Sequence, residues 1–121
     1  MGKILVVDDD MMNRRMAQYI LSKAGHESET VESGEEAIRS IEREEYDLVL
    51  LDIEMPEMNG FDTLKKIRTL ERGADLLVMF LTASNDARDQ NRAEELHAVG
   101  YVNKPFLPQD LMSQVNKLLG E

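Results

Sequence analysis

The chain has 121 residues, which suits a single domain, and 42% of them are hydrophobic, enough for one buried core. With 24 acidic against 14 basic residues the formal charge is −10, which argues against direct binding of DNA or RNA by this chain. There is no cysteine and no apolar run near the ~20 residues of a membrane helix, so neither a disulfide framework nor membrane insertion is expected, and the expected location is the cytoplasm.

Residues 4–7 (ILVV) are a continuous apolar run ending in acids, the pattern of a buried parallel strand. The run is too short and too soon acidic to be a signal peptide. A helix is expected over residues 13–24, with Met12, Met16, Ile20 and Ala24 four apart on its inward face and Gly25 closing it. Residues 27–31 read as a polar strand at the sheet edge. Ser33 and Glu36 form a capping box for a second helix running to about Glu44. A second apolar run at 48–51 ends at Asp52, and 55–60 is a turn-rich loop. The next helix turns Phe61, Leu64, Ile67 and Leu70 inward. A third apolar run, 76–81, ends at Thr82, and a helix is expected over 86–98 with Ala87, Ala93, Leu96 and Val99 as a thin apolar face. Tyr101 and Val102 form a last short strand stopped by Lys104 and Pro105, and the final helix carries Leu111, Val115, Leu118 and Leu119 on one stripe.

Five strands alternating with five helices imply a parallel α/β sheet covered on both faces. Ligands of such sheets bind outside the carboxyl ends of the strands. Those ends carry Asp8, Asp9 and Asp10, then Asp52, then Thr82, then Lys104. Clustered carboxylates repel one another, and a hard divalent cation relieves the repulsion. Oxygen donors without His or Cys suggest Mg²⁺ or Mn²⁺. An ammonium and a hydroxyl beside that metal suit a phosphoryl group, and a carboxylate at the focus can accept it as a nucleophile.

The strings ILVVDDD at 4–10, LVLLDIEMPEMNG at 48–60, LTA at 81–83 and YVNKPF at 101–106, in this order, resemble the receiver domains of bacterial response regulators and hybrid histidine kinases over the whole chain. The resemblance implies a single doubly wound (βα)5 domain spanning 1–121, with strand order 2-1-3-4-5 and no output domain. It implies Asp52 as phosphoacceptor in phosphorelay signalling. Asp8 and Asp9 would hold Mg²⁺ with Asp52, Asp9 directly and Asp8 through water, joined by the backbone carbonyl of Glu54. Thr82 and Lys104 would contact the phosphoryl group, Tyr101 would be the aromatic switch, and the bond between Lys104 and Pro105 would be cis. The phosphodonor would be a histidine kinase or histidine phosphotransfer protein, and the output face the fourth helix, last strand and fifth helix. Such a domain phosphorylates and dephosphorylates itself but is a switch, not an enzyme in the ordinary sense.

Asp10 could join the metal site or cap the first helix. Glu54 and Ser84 flank the phosphoacceptor and Thr82 and are expected to tune phosphate lifetime through the attacking water. Asp62, Asp75, His26 and His97 read as surface or structural residues. The mixed charge of residues 86–95, with Arg88 and Arg92 among Asp86, Asp89, Glu94 and Glu95, favours a stand-alone or kinase-attached receiver over a DNA-binding regulator. Two other readings compete. One is a Mg²⁺-dependent phosphatase similar to the haloacid dehalogenases, with Asp8 as nucleophile and Asp10 as general acid. The other is an inactive receiver serving only as a binding module.

Overall fold

Each apolar run forms a strand because its side chains, alternating between two faces, find helices on both. In the computed structural model, which describes residues 2–83 and 87–120, the elements in chain order are β1 (Lys3–Val7), α1 (Met11–Lys23), β2 (Glu27–Val31), α2 (Gly34–Arg43), β3 (Leu48–Asp52), α3 (Gly60–Ile67), a 3-10 turn (Glu71–Gly73), β4 (Val78–Thr82), α4 (Ala87–Glu95), β5 (Gly100–Asn103) and α5 (Pro108–Leu119). All strand pairs are parallel, in the order β2-β1-β3-β4-β5, as expected.

The period of two splits the core. Leu5, Val7, Val49, Leu51, Val78 and Phe80 face α2 and α3, where Ala37, Ile41, Phe61, Leu64 and Ile67 meet them. Ile4, Val6, Leu48, Leu50, Met79 and Leu81 face α1 and α5, where Ala17, Ile20, Leu21, Leu111 and Val115 meet them. The polar β2 lies at one edge of the sheet and the short β5 at the other.

Local chemistry explains the helix ends and corrects some expectations. The Asp10 carboxylate accepts hydrogen bonds from the N–H groups of Met12 (2.8 Å) and Asn13 (3.4 Å), so α1 starts at Met11, two residues earlier than residue 13. Gly25, at φ 88°, takes the left-handed turn after it. Ser33 caps α2 by accepting from the Glu36 N–H, but the Glu36 carboxylate reaches back to the N–H of Glu32 (3.0 Å), one residue beyond a capping box. The helix expected over 86–98 is shorter: α4 ends at Glu95, and residue 86 lies outside the described residues. Val99, expected on its apolar face, lies beyond the helix and is exposed, while Ala93 is buried and Leu96 half-buried. The side chain of Ala87 is outside the description.

The largest correction concerns α1. Met12 and Met16 are 64% and 45% exposed, and the buried residues are Ala17, Ile20 and Leu21. Each four-residue step turns an α-helix about 40° past a full turn. Met16 and Met12 therefore trail Ile20 by about 40° and 80°, on the side away from Ala17 and Leu21.

Candidate functional site

The register brings the strand ends together. Val7 pairs with Leu51, Asp52 with Leu81, and Thr82 with Asn103, so Asp8, Asp52, Thr82 and Lys104 all lie at the carboxyl edge of the sheet. Asp8 and Asp52 are 0% and 3% exposed, Thr82 is fully buried, and Asp9 is exposed. A cleft of about 230 Å³ there is lined by Asp8, Asp9, Asp52, Glu54, Ala83 and Lys104, among others.

Lys104 arrives from the far edge of the sheet and bridges two acids. Its Nζ lies 2.9 Å from Asp8 Oδ2 and 2.9 Å from Asp52 Oδ1. Its own backbone N–H donates to the Thr82 carbonyl (2.7 Å), which fixes the segment after β5 against the end of β4. The bond to Pro105 is cis, as expected. Asp8 is further held through Oδ1, which accepts from the Asp10 N–H (2.9 Å).

Burial raises the Asp52 carboxyl to about 7; the hydrogen bond from Lys104 opposes this, and the charges of Asp8 and Asp9 add to it. For Lys104, burial alone favours the neutral amine, but hydrogen bonds to Asp8 and Asp52 outweigh it and raise its pKa above the usual value.

The donor set fits a small divalent cation. Asp8, Asp9 and Asp52 each offer a carboxylate oxygen, and these lie within 4.8 Å of one another. Three carboxylates against one ammonium leave uncompensated negative charge in a partly desolvated cleft. Oxygen donors alone suit Mg²⁺ or Mn²⁺.

Glu54 is exposed on the cleft wall. Ser84, the other residue expected to tune phosphate lifetime, lies outside the described residues. Tyr101 is half-buried on β5 with its hydroxyl shielded from solvent; its ring is 6.3 Å from that of Phe80, which in turn meets Phe61 edge-on at 5.1 Å. Asp62 and Asp75 are exposed, and so is His97. His26 is buried, accepting from the Gly2 N–H at Nδ1 (3.0 Å) and meeting Asn116 Oδ1 through Nε2 (2.8 Å).

Two further residues shape the site. Asn13 lines the cleft from the first turn of α1; its only sequence signal is its place just after the acidic run. Gly60 packs so closely under the end of β3 that a Cβ there would sit 2.4 Å from the Asp52 carbonyl oxygen. Asp8 and Asp10 do not suit the phosphatase reading. Asp8 is fully buried, with Oδ1 accepting from the Asp10 N–H and Oδ2 ion-paired to Lys104, while Asp10 is the α1 cap.

Residues 4–116 match the response regulator receiver domain family. The chain is 38% identical to the probable transcriptional regulator ycf27 of Cyanophora paradoxa over 97% of its own length and 48% of that protein. It spans about half the length of the curated relatives it matches. Among solved structures it is similar to chemotaxis protein CheY4 of Vibrio cholerae, with TM-score 0.93, 30% identity and 98% of both chains covered. It is also similar to the receiver domain of a sensor histidine kinase from Pseudomonas aeruginosa with magnesium coordinated in its active site cleft, at TM-score 0.90 and 28% identity, covering 99% of this chain and 98% of that one.

Proposed function

The chain belongs to the response regulator receiver domain family, and we propose that it is a phosphorelay switch that accepts a phosphoryl group on Asp52. The observation that carries the reading is the buried Asp52 carboxylate, 2.9 Å from Lys104 and clustered with Asp8 and Asp9. A carboxylate oxygen of Asp52 attacks phosphorus of a phosphohistidine on a kinase or phosphotransfer protein. The P–N bond breaks, the imidazole leaves with the bonding pair, and an aspartyl phosphate forms.

Asp9 and Asp52 would hold Mg²⁺ (or Mn²⁺) directly and Asp8 through water, with the Glu54 backbone carbonyl as a further donor. When bound, the cation would supply charge neutralisation at the phosphoryl oxygens. Magnesium in the cleft of the kinase receiver supports this assignment. Lys104 passes from its bridge between Asp8 and Asp52 to an oxygen of the transferred group, and the Thr82 hydroxyl donates to another.

Drawing Thr82 inward moves the end of β4, and Tyr101 turns further into the space beside it. The altered surface is that of α4, β5 and α5, where Ala93, Val99, Gly100 and Tyr101 line a groove of about 250 Å³. That face meets a downstream partner. We assign residues 1–121 to one receiver domain working in the cytoplasm; no helix among the described residues is long and apolar enough to cross a membrane. Contact with nucleic acid is not part of this domain's role, given its charge of −10.

The test is mass spectrometry after incubation with acetyl phosphate and Mg²⁺. One phosphoryl group should appear and map to Asp52, and Asp52→Asn should remain unmodified. An unchanged mass in the wild type would leave a binding module as the remaining reading. Exchange of acetyl phosphate for beryllofluoride in an NMR titration tests the output face: shifts confined to α2 and α3 would exclude it. Glu54→Ala and Ser84→Ala should change the hydrolysis half-life of the phosphoprotein, and equal half-lives would remove both from the mechanism.

A further inference from the structure

The residue Asp8 is held by hydrogen bonds at its backbone N–H, its carbonyl and Oδ1, and by an ion pair at Oδ2. Its N–H donates to the Val31 carbonyl (3.2 Å), and its carboxylate is held by the Asp10 N–H and by Lys104. Its backbone carbonyl accepts from Nη1 of Arg14 at 2.8 Å. That carbonyl belongs to the peptide joining Asp8 to Asp9, so its direction sets where the Asp9 carboxylate can go. Arg14 is itself aligned. Its side chain is only 13% exposed, and Nη2 meets the Glu32 carboxylate at 3.4 Å. Glu32 is fixed in turn through its N–H by the Glu36 carboxylate (3.0 Å). A chain of contacts thus runs from the start of α2 to the acidic cluster.

We infer that Arg14 is a positioning residue for cation binding, acting through the Asp8–Asp9 peptide and supported by Glu32. The inference rests on the reading of Asp8, Asp9 and Asp52 as metal-binding acids. Only a group with two separated donors can hold the carbonyl and Glu32 together, which is why a guanidinium stands here. Partners behind metal ligands typically influence affinity about 10–100-fold.

Charge and position act with opposite signs, and that makes the inference testable. Arg14 carries a positive charge close to a cation site, so removing it by electrostatics alone would tighten metal binding. Removing a positioning contact loosens it. Mn²⁺ binding to the full chain, followed by electron paramagnetic resonance, reads the difference. Arg14→Ala should weaken binding by about ten-fold. Arg14→Lys should recover part of the loss, since one ammonium can reach the carbonyl but not also grip Glu32. Glu32→Gln should show a smaller loss. Melting in the absence of metal separates this from general loosening, because a residue that only ties two loops together would lower the melting temperature and leave Mn²⁺ affinity unchanged.

Unchanged or tighter binding by Arg14→Ala overturns the inference. If Arg14→Ala does not fold, wild-type affinity in both Arg14→Lys and Glu32→Gln does the same. Asp9→Asn is the control: Mn²⁺ binding by the wild type that Asp9→Asn abolishes upholds the metal reading whatever Arg14 does. A wild type that binds no Mn²⁺ overturns that reading and the inference together.

Discussion

Asp52 is an acid kept almost out of water, and its titration carries a stability consequence. Its folded-state value, raised to about 7, means that the native chain holds a proton that the unfolded chain has already released. Stability from this group is therefore fully present below the ordinary carboxylate range near 4 and is lost as pH rises to about 7. In EDTA, the wild type should lose on the order of 3 kcal/mol more than Asp52→Asn between pH 4 and pH 8. Parallel pH profiles for the two proteins would show that the acid is not strained. Gly60 gives a second prediction at this scale. A Cβ 2.4 Å from the Asp52 carbonyl oxygen cannot be accommodated without moving that strand end, so Gly60→Ala should cost about 1–3 kcal/mol and slow phosphorylation. A denaturant midpoint and phosphorylation rate equal to wild type would refute it. The strand-edge placement of Asp8, Asp9, Asp52 and Thr82 was legible in the sequence because they follow apolar runs, and that of Lys104 because it and Pro105 stop the last short strand. Asn13 carried only the faint signal of its place just after the acidic run, and nothing local distinguishes Arg14 from any polar residue on a helix.

At the scale of elements, α4 is the helix with the least apolar support. Ala93 is its one side chain in the buried core among those described. Two arginines compensate. Arg92 lies over the Phe61 ring at 4.2 Å, and Arg68 donates to the carbonyls of Leu96 (3.4 Å) and His97 (3.2 Å) just past the end of α4 while also holding Gly73 (2.9 Å) and Leu76 (2.7 Å). Burial lowers the pKa of Arg68 from its usual value, with Asp75 opposing. Arg68→Ala should increase amide exchange across α4 and β5 more than across α1, and destabilise the fold by about 1–3 kcal/mol. Uniform exchange changes would mean that the contact does not fasten α4 in particular. The misjudged face of α1 belongs here as well. Four-residue spacing alone did not reveal the direction of Met12 and Met16, because the buried arc is decided by where the helix meets the sheet.

For the molecule as a whole, the proposed cation site predicts a coupling of metal binding to folding. On the proposed reading, Mg²⁺ would bind the assembled cluster and not the separated acids of the unfolded chain, so it should raise the melting temperature. At a concentration one hundred times the dissociation constant the gain is about 2.7 kcal/mol, and Asp9→Asn should remove most of it. Scanning calorimetry with and without Mg²⁺ measures both, and a full shift in Asp9→Asn would move the cation to other ligands.

The alternation of buried runs and amphipathic segments was enough to determine the parallel sheet and the set of residues at its carboxyl edge, because strand burial and side-chain alternation are local rules. Which of those residues touch was decided only by tertiary structure. The Lys104 bridge between Asp8 and Asp52, the tie from Glu32 through Arg14 to the Asp8 carbonyl, and the Arg68 clasp on α4 each join distant parts of the chain. Their geometry depends on helix rotation and loop approach, which no sequence period encodes.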